Sequence, residues 1–407
     1  MKKLAIIGGG ASGLMAAITA ASSGISVDIF EQNSDVGKKI LASGNGRCNI
    51  INTQYTSQDF AGLDTDFCHY ALEQFNFKNF EKFALSIGLL LDKKEDGRCY
   101  PLSHEAKAVV LAFKTRCESL DVTIITNTKV TALDKSDTHF NVTTAEKKHT
   151  HYDKLLICNG SNAAPQLGGC EDGYHFGESF GHSINLTYPS LVQLHINSNF
   201  HHKMAGVRKD ALVHLFINNT KEMSQQGDIL FTKYGISGLA ILDISERASN
   251  ALAYFSEVKI SINLFPELDK SQLNAQVKKL CDTLPEYPIL TVLGGMIASK
   301  IALQVLEFCG IESHIKVKDL SPKVFKKMVH TLQDWRFEIS DTHGFKHAEV
   351  SGGGINTAEI NPKTMESTLC KDLYFAGEVV DIVGRRGGFN FAWAWASARL
   401  SAKSITS

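Results

Sequence analysis

The chain has 407 residues, enough for two or three domains of ordinary size. With 43% hydrophobic, 9% aromatic and 21% charged residues it reads as a globular protein with ample material for a core, which excludes long disorder. Lys and Arg number 42 against 43 Asp and Glu, a net charge of -1, so neither nucleic acid nor an anionic membrane surface is favoured as a partner and a small-molecule substrate is expected.

The opening residues Lys3 to Ile7 read as a strand, followed by a glycine turn, a helix over Ser12 to Ser22 and a second strand over Ser26 to Phe30 that ends in Glu31. This is a compact βαβ unit with a parallel pair. The 24 uncharged residues between Lys3 and Asp28 invite a signal-peptide or membrane reading, but Gly8, Gly9, Gly10 and Gly13 break the run into a short strand and a small-residue helix. Helical apolar spacing follows at 64 to 90 and 104 to 119, and Val122 to Thr126, Val130 to Leu133, Phe140 to Thr144 and Lys154 to Cys158 read as short strands. Beyond Tyr188-Pro189 the pattern changes. Ala211 to Ile217 and Val258 to Leu264 look like half-buried antiparallel strands, and helices are expected near 271 to 283 and 290 to 309. Ser321-Pro322 reads as an N-cap with proline at the first helical position, opening a helix to about Leu332. From Trp335 onward glycine-rich turns return, with a strand at Leu373 to Ala376 and a terminal helix from Gly388. No tandem repeat or Ser/Pro-rich linker separates the blocks, so the middle block is expected to be an insertion. The expected fold is α/β: a Rossmann-like FAD-binding domain with a parallel sheet, formed by 1–190 and 338–407 and interrupted by a β-barrel-like domain with a helical part at 191–337.

Nine cysteines, an odd number with no CxxC spacing, point to reduced thiols and a cytoplasmic location. They argue against a zinc ribbon or a dithiol redox centre. His343 and His347 are spaced i, i+4, yet no third ligand accompanies them and Gly344 weakens a helix there, so no metal is expected.

Gly8-Gly9-Gly10-Ala11-Ser12-Gly13 fits GxGxxG in its required place between strand and helix. Gly8 permits the tight turn, Gly10 a close approach of backbone to a pyrophosphate and Gly13 close helix–strand packing, while Ala11 and Ser12 open the helix whose N–H groups face the anion. Glu31, 18 residues after Gly13, can accept both ribose hydroxyls and would repel a 2′-phosphate, so the adenosine half belongs to FAD or NAD rather than NADP. Gln32 adjoins it. At the other end, Leu373 to Ala376 leads into Gly377, Glu378 and Asp381, and then Gly387-Gly388-Phe389-Asn390 forms a second glycine turn opening a helix. Backbone donors there suit the pyrimidine edge of a flavin and stabilise negative charge on its reduced form, a site that NAD does not need. The competing reading is a buried final helix whose Phe389, Phe391, Trp393 and Trp395 merely fill core.

Further motifs make a family resemblance specific. Gly37-Lys38-Lys39-Ile40-Leu41-Ala42-Ser43-Gly44-Asn45-Gly46-Arg47-Cys48-Asn49, Glu95-Asp96-Gly97-Arg98-Cys99-Tyr100-Pro101-Leu102-Ser103, Gly235-Ile236-Ser237-Gly238, Ser351-Gly352-Gly353-Gly354 and Thr364-Met365-Glu366-Ser367 occur in that order along nearly the whole chain. The sequence resembles the aminoacetone-oxidase and BaiN-type (YhiN-like) family of FAD-dependent oxidoreductases, within the glutathione-reductase-like flavoproteins. The resemblance implies a discontinuous FAD domain, and places Lys39, Asn45, Arg47, Cys48 and Asn49 along the FAD. On residue type alone, Lys38, Lys39 and Arg47 read as solvated loop charges. It also implies that Val130 presents its backbone to adenine and that Gly160 ends the strand and turn where such proteins carry Ala-Thr-Gly-Gly. Here the turn is Cys158-Asn159-Gly160-Ser161, so the threonine's role has no counterpart. Gln193, Lys233 and Leu239 depart from the family's usual Pro, His and Pro.

Hydride transfer at flavin N5 leaves the protein to orient substrate and manage protons. Arg98, Tyr100, His104, His343, Arg385 and Arg386 flank the motifs expected near the ring and are the candidates, each equally readable as a structural hydrogen bond or ion pair. Only one complete GxGxxG is present, because Thr357 stands where Gly352-Gly353-Gly354 would need a third glycine, so NAD(P)H is expected as a transient electron donor. The expected function is oxidation of an amine with dioxygen or reduction of an activated double bond. A flavin monooxygenase, and a flavin-bearing sensor or interaction protein, are the alternatives. A tRNA-modifying flavoprotein fits less well, for want of a basic patch.

Overall fold

A computed structural model describes residues 2–407 of the chain and divides it into two compact units. One runs up to Pro189 and resumes over Glu349–Ser407; the other is Ser190–Ala348.

The first unit is built on a five-stranded sheet in the order Leu373–Phe375, Lys154–Ile157, Lys3–Ile7, Ser26–Phe30, Thr123–Ile125. Every neighbouring pair is parallel. Buried on both faces, the central strand is a continuous apolar run in which Leu4, Ala5 and Ile6 have no exposure. The helix Ala11–Ala21 buries nine of its eleven residues, which explains why it carries no charged face. It packs against the terminal helix Phe389–Thr406, where Trp393 and Trp395 are among the largest fully buried side chains. Trp395 stacks on Phe113 at 5.2 Å, Phe391 at 5.5 Å and Phe80 at 5.8 Å. An antiparallel meander of Val130–Ser136, His139–Thr144 and Lys148–Tyr152 flanks the sheet. The segment Val350–Ile355, which carries Gly352, Gly353 and Gly354, is a wholly buried strand paired with Ile184–Ser190. It does not form a strand-to-helix turn.

The second unit is a closed six-stranded barrel in the order Leu194–Asn197, Gly235–Ser237, Thr220–Phe231, Arg208–Ile217, Val258–Asn263, Trp335–Thr342. Its own apolar core includes Val213, Leu215, Ile260 and Ile262, all without exposure. Five helices accompany it: Leu239–Ala253, Lys270–Thr283, Ile289–Gly294, Ser299–Cys309 and Pro322–Gln333. The helix expected over 290 to 309 is two helices, because Gly294-Gly295 ends the first. Ser321 caps the last of them, its hydroxyl accepting the Val324 N–H at 3.4 Å. The boundary expected at 337 falls inside the barrel strand Trp335–Thr342, whose Trp335, Phe337 and Ile339 point inward.

Candidate functional site

In a parallel α/β sheet, ligands sit at the carboxyl ends of the strands. In the first unit all five strands end in a segment marked by the sequence: Gly8 follows Lys3–Ile7, Glu31 follows Ser26–Phe30, Val130 lies just beyond Thr123–Ile125, Gly160 follows Lys154–Ile157, and Gly377 and Glu378 follow Leu373–Phe375.

The glycines of the first turn divide the work as their chemistry requires. Gly8 has φ +108°, and a Cβ there would meet the Cys158 carbonyl oxygen at 2.7 Å; at Gly13 it would meet the Gly8 carbonyl oxygen at 1.9 Å. Gly10 by contrast faces open space, with nothing within 4 Å of a Cβ. The helix that begins there has no side-chain cap and no acidic residue in its first turn, so its free N–H groups have no partner of their own. Ala11 and Ser12 provide two of them. An anion over Gly10 fits this chemistry.

Glu31, only 7% exposed, is held from three sides. Oε2 accepts the Gly9 N–H at 2.9 Å, and Oε1 accepts both the Asn33 N–H and the Asn33 side-chain amide at 2.7 Å. Gln32 turns away and donates to the Gly168 carbonyl at 2.9 Å. Beyond Lys154–Ile157, Gly160 adopts φ +79° with open space where a Cβ would stand, and the buried Asn159 Oδ1 beside it has no hydrogen-bond partner among the described residues.

Sequence reasoning gave Glu378 and Asp381 to the cofactor, and the structure shows what else they do. Glu378 Oε1 accepts the Ser161 hydroxyl at 2.7 Å and the Ser351 N–H at 3.0 Å, while Oε2 pairs with Lys39 Nζ at 3.0 Å. Asp381, 2% exposed, takes the Asn185 amide at 2.7 Å, the Gly353 N–H at 3.1 Å and the Leu63 N–H at 3.2 Å. Ser161 and Ser351, which lie in stretches the sequence marked but were given no role there, are therefore parts of the site's frame, as is Asn185, which no motif marked. Gly377 comes so close to the first turn that a Cβ on it would meet the Ser12 hydroxyl at 2.2 Å. Its carbonyl accepts the Trp393 indole N–H at 3.0 Å, which ties the first turn to the terminal helix. At that helix's start Gly388 has φ +94° and lies against Ile51 backbone, and the first turn again has neither side-chain cap nor acid. Asn390 holds the preceding segment, exchanging hydrogen bonds with both backbone groups of Gly384 at 2.7 and 2.8 Å, and Gly387 accepts the Asn52 amide at 2.9 Å. Phe389 is 2% exposed and packs edge-on against Phe60, so it does fill core.

The loop after Gly37 places its members unequally. Asn45, at φ +55°, and Arg47 are exposed, with the Arg47 guanidinium 5.6 Å over the Tyr100 ring. Asn49 Oδ1 accepts the Cys99 N–H at 3.1 Å. Cys48 is fully buried, and burial pushes its thiol up to about 12, which removes the thiolate that redox chemistry needs.

Every substrate-side candidate has a partner. Arg98 pairs with Asp96 at 2.6 Å and Arg385 with Asp59 at 2.8 Å. His104 pairs with Asp92 at 2.7 Å and stacks on the buried Tyr100 at 5.6 Å. Arg386 adjoins the second glycine turn. His343 belongs to the barrel unit, where its Nδ1 lies 2.8 Å from His195 Nε2 and its ring stacks on Tyr234 at 3.9 Å. Residues 343 to 347 form a turn with Gly344 at φ +76°, not the helix on which His343 and His347 would share a face. Their ring centroids lie 4.0 Å apart with the planes tilted by 32°, and burial and the two neighbouring imidazoles hold His343 below its ordinary pKa. Among the described residues no group of three or more His, Cys, Asp or Glu could hold a metal, and no helix is long and apolar enough to cross a membrane.

The model of the HI0933-like protein Rossmann domain matches residues 2–404. The chain belongs to this family. The resemblance to the BaiN-type flavoenzymes is thereby borne out, and with it an FAD-dependent oxidoreductase on a Rossmann fold interrupted by a barrel. The 3-dehydro-bile acid delta(4,6)-reductase of Clostridium scindens is 34% identical over 99% of this chain and 98% of its own length. The ribosomal RNA dihydrouridine synthase of Escherichia coli is 28% identical over 98% of this chain and 97% of its own. Among solved structures, the 3-ketosteroid delta1-dehydrogenase of Sterolibacterium denitrificans shares the fold over 100% of both chains, with a TM-score of 0.51 and 10% identity.

Proposed function

We propose that this HI0933-like flavoprotein reduces a carbon–carbon double bond conjugated to a carbonyl in a small organic molecule, with NAD(P)H as the transient electron donor. The observation that carries the reading is a bond type shared by two full-length relatives. A 3-dehydro bile acid has its 4,6 double bonds in conjugation with the 3-ketone, and a dihydrouridine synthase saturates the uracil double bond conjugated to a ring carbonyl. That common chemistry favours reduction over oxidation of an amine. The greater likeness to the bile acid enzyme and a net charge of -1 favour a small molecule over RNA.

FAD bound here and reduced by NAD(P)H would supply the hydride for the β-carbon of such a double bond, whose α-carbon would take a proton. The chain's own residues hold and orient. Glu31 takes the ribose hydroxyls, the helix start at Gly10, Ala11, Ser12 and Gly13 takes the pyrophosphate, and Lys39, set by Glu378, flanks it. The Val130 backbone meets the adenine, and the N–H groups at Gly388, Phe389 and Asn390 face the pyrimidine edge. Gly160, Asn45, Arg47 and Asn49 complete the cradle.

Anaerobic stopped-flow mixing tests this. NADH or NADPH should bleach the yellow holoprotein, and a 4-en-3-one steroid should restore the colour, whereas amines should leave it oxidised. Reduction by amines with inertness toward enones would overturn the proposal. Reoxidation by uridine-containing RNA alone would move the substrate to nucleic acid, and inertness toward every donor and acceptor would favour a sensor.

A further inference from the structure

The helices Ala11–Ala21 and Phe389–Thr406 begin at the two glycine turns, and their later residues wall a cavity of about 480 Å³ together with Phe67–Gln74, Phe77–Ser86 and Ala106–Glu118. Its apolar part is Ile18, Phe75 and Phe83, each at most 7% exposed. Four cations line it, Lys82, Arg116, Arg399 and Lys403, and no Asp or Glu does. None of the four pairs with a carboxylate among the described residues. Arg399 is the most telling. Its guanidinium lies 5.0 Å over Phe75 and 5.8 Å over Phe83, and among the described residues its single hydrogen bond is a long one, 3.5 Å to Thr19 Oγ1. The Thr19 proton goes to the Met15 carbonyl at 2.8 Å, so that hydroxyl is fixed as an acceptor and helps hold the guanidinium plane.

A guanidinium has five N–H donors. With its face against two rings, its donor edge is left for oxygen atoms. Burial without a carboxylate pushes Arg399 below its ordinary pKa, so the chain carries an uncompensated cost at this position. An anion bound in the cavity removes that cost. Four positive charges call for more than a monocarboxylate, the apolar wall calls for a carbon skeleton, and a volume of about 480 Å³ suits a small molecule.

We propose that this cavity binds a small organic phosphate, its phosphate on Arg399 and Arg116 with Lys82 and Lys403 at the rim, and its carbon part against Phe75, Phe83 and Ile18. The site is separate from the redox reading and stands or falls without it.

Isothermal titration of the FAD-saturated protein, in which the dinucleotide site is filled, tests this with phenyl phosphate and inorganic phosphate as probes. Phenyl phosphate should bind several-fold more tightly than inorganic phosphate. Lys82→Ala/Lys403→Ala, both exposed, should weaken it about tenfold with an unchanged melting temperature. Arg399→Met, which keeps the packing volume, should abolish it; if that variant does not fold, the double lysine variant decides. Absence of phenyl phosphate binding at concentrations of about 10 mM, or equal binding by the lysine variant, would overturn the proposal. So would an RNA oligonucleotide that binds through the same lysines when phenyl phosphate does not.

Discussion

Glu31 carries two duties at once. Its carboxylate satisfies the Gly9 and Asn33 donors that shape the turn, and in the proposed complex it also receives the ribose. Glu31→Ala removes charged hydrogen bonds worth about 1.5–3 kcal/mol each, so FAD affinity should fall by roughly tenfold to a hundredfold, with Glu31→Gln in between. Reconstitution of apoprotein followed by flavin fluorescence measures this, and full retention of FAD by the alanine variant would remove Glu31 from the site. His182 shows a different residue-scale constraint. It is 3% exposed, with Nε2 2.7 Å from Ser367 Oγ, and burial holds its pKa below the ordinary value while Glu359, 3.3 Å away, opposes the shift. The unfolded chain therefore takes up this proton before the folded one. Its contribution to stability is complete above the unfolded pKa of about 6.5 and declines as pH falls toward the folded value, by at most about 1.4 kcal/mol per pH unit. Urea unfolding from pH 7.5 down to 5.5, numbers of roughly one unit either side of that pKa, should show a shallower pH dependence for His182→Asn than for the wild type. Equal slopes would mean that the ring takes up its proton at the same pH in the folded and unfolded states.

At the scale of the element, two glycines three residues apart separate folding from binding. Gly13→Ala drives a methyl onto the Gly8 carbonyl and should destabilise even the apoprotein, by about 1–3 kcal/mol, whereas Gly10→Ala meets nothing and should leave apoprotein stability unchanged. With FAD present the order changes: Gly10→Ala should bind it at least about tenfold less well, because the new methyl stands where the pyrophosphate approaches the backbone. Paired melts of apo- and holoprotein read both effects, and a destabilised Gly10→Ala apoprotein would contradict the assignment. This βαβ element was legible because local and tertiary demands agree: strands Lys3–Ile7 and Ser26–Phe30 are apolar runs, and the glycines mark the turn between them. Elements that the pattern missed lack that agreement. Thr220–Phe231 is a largely polar, only partly buried strand that exists by pairing with Arg208–Ile217, and Leu239–Ala253 buries small Ala240, Ser245, Ala248 and Ser249 beside Ile241 and Ile244, which weakens its apolar signal. The same holds at the site. The glycine turns announce themselves, but the bracing roles of Ser161, Ser351 and Asn185 toward Glu378 and Asp381 join distant segments, and Asn185 lies in no motif.

At the scale of the molecule, an insertion is tolerated when its ends meet. The first and last barrel strands are neighbours, with Leu194 opposite Thr342 and His195 opposite Asp341, so the chain enters and leaves the second unit side by side. The other unit has the matching arrangement, because Ile184–Ser190 pairs with Val350–Ile355 on its side of the two crossings. The barrel's apolar cluster draws only on residues between Leu194 and Ile339. All six barrel strands come from the second unit itself, so the barrel closes without borrowing a strand from the sheet-bearing unit. These are the conditions for independent folding, so the fragment Ser190–Ala348 should fold alone. It contains a single tryptophan, Trp335, fully buried and packed within 4.9 Å of Phe337, which makes the test internal. The isolated fragment should show blue-shifted emission that moves to the red in one sigmoidal step with urea. Emission already at the solvent-exposed wavelength without denaturant would show that the barrel depends on the sheet-bearing unit for its core.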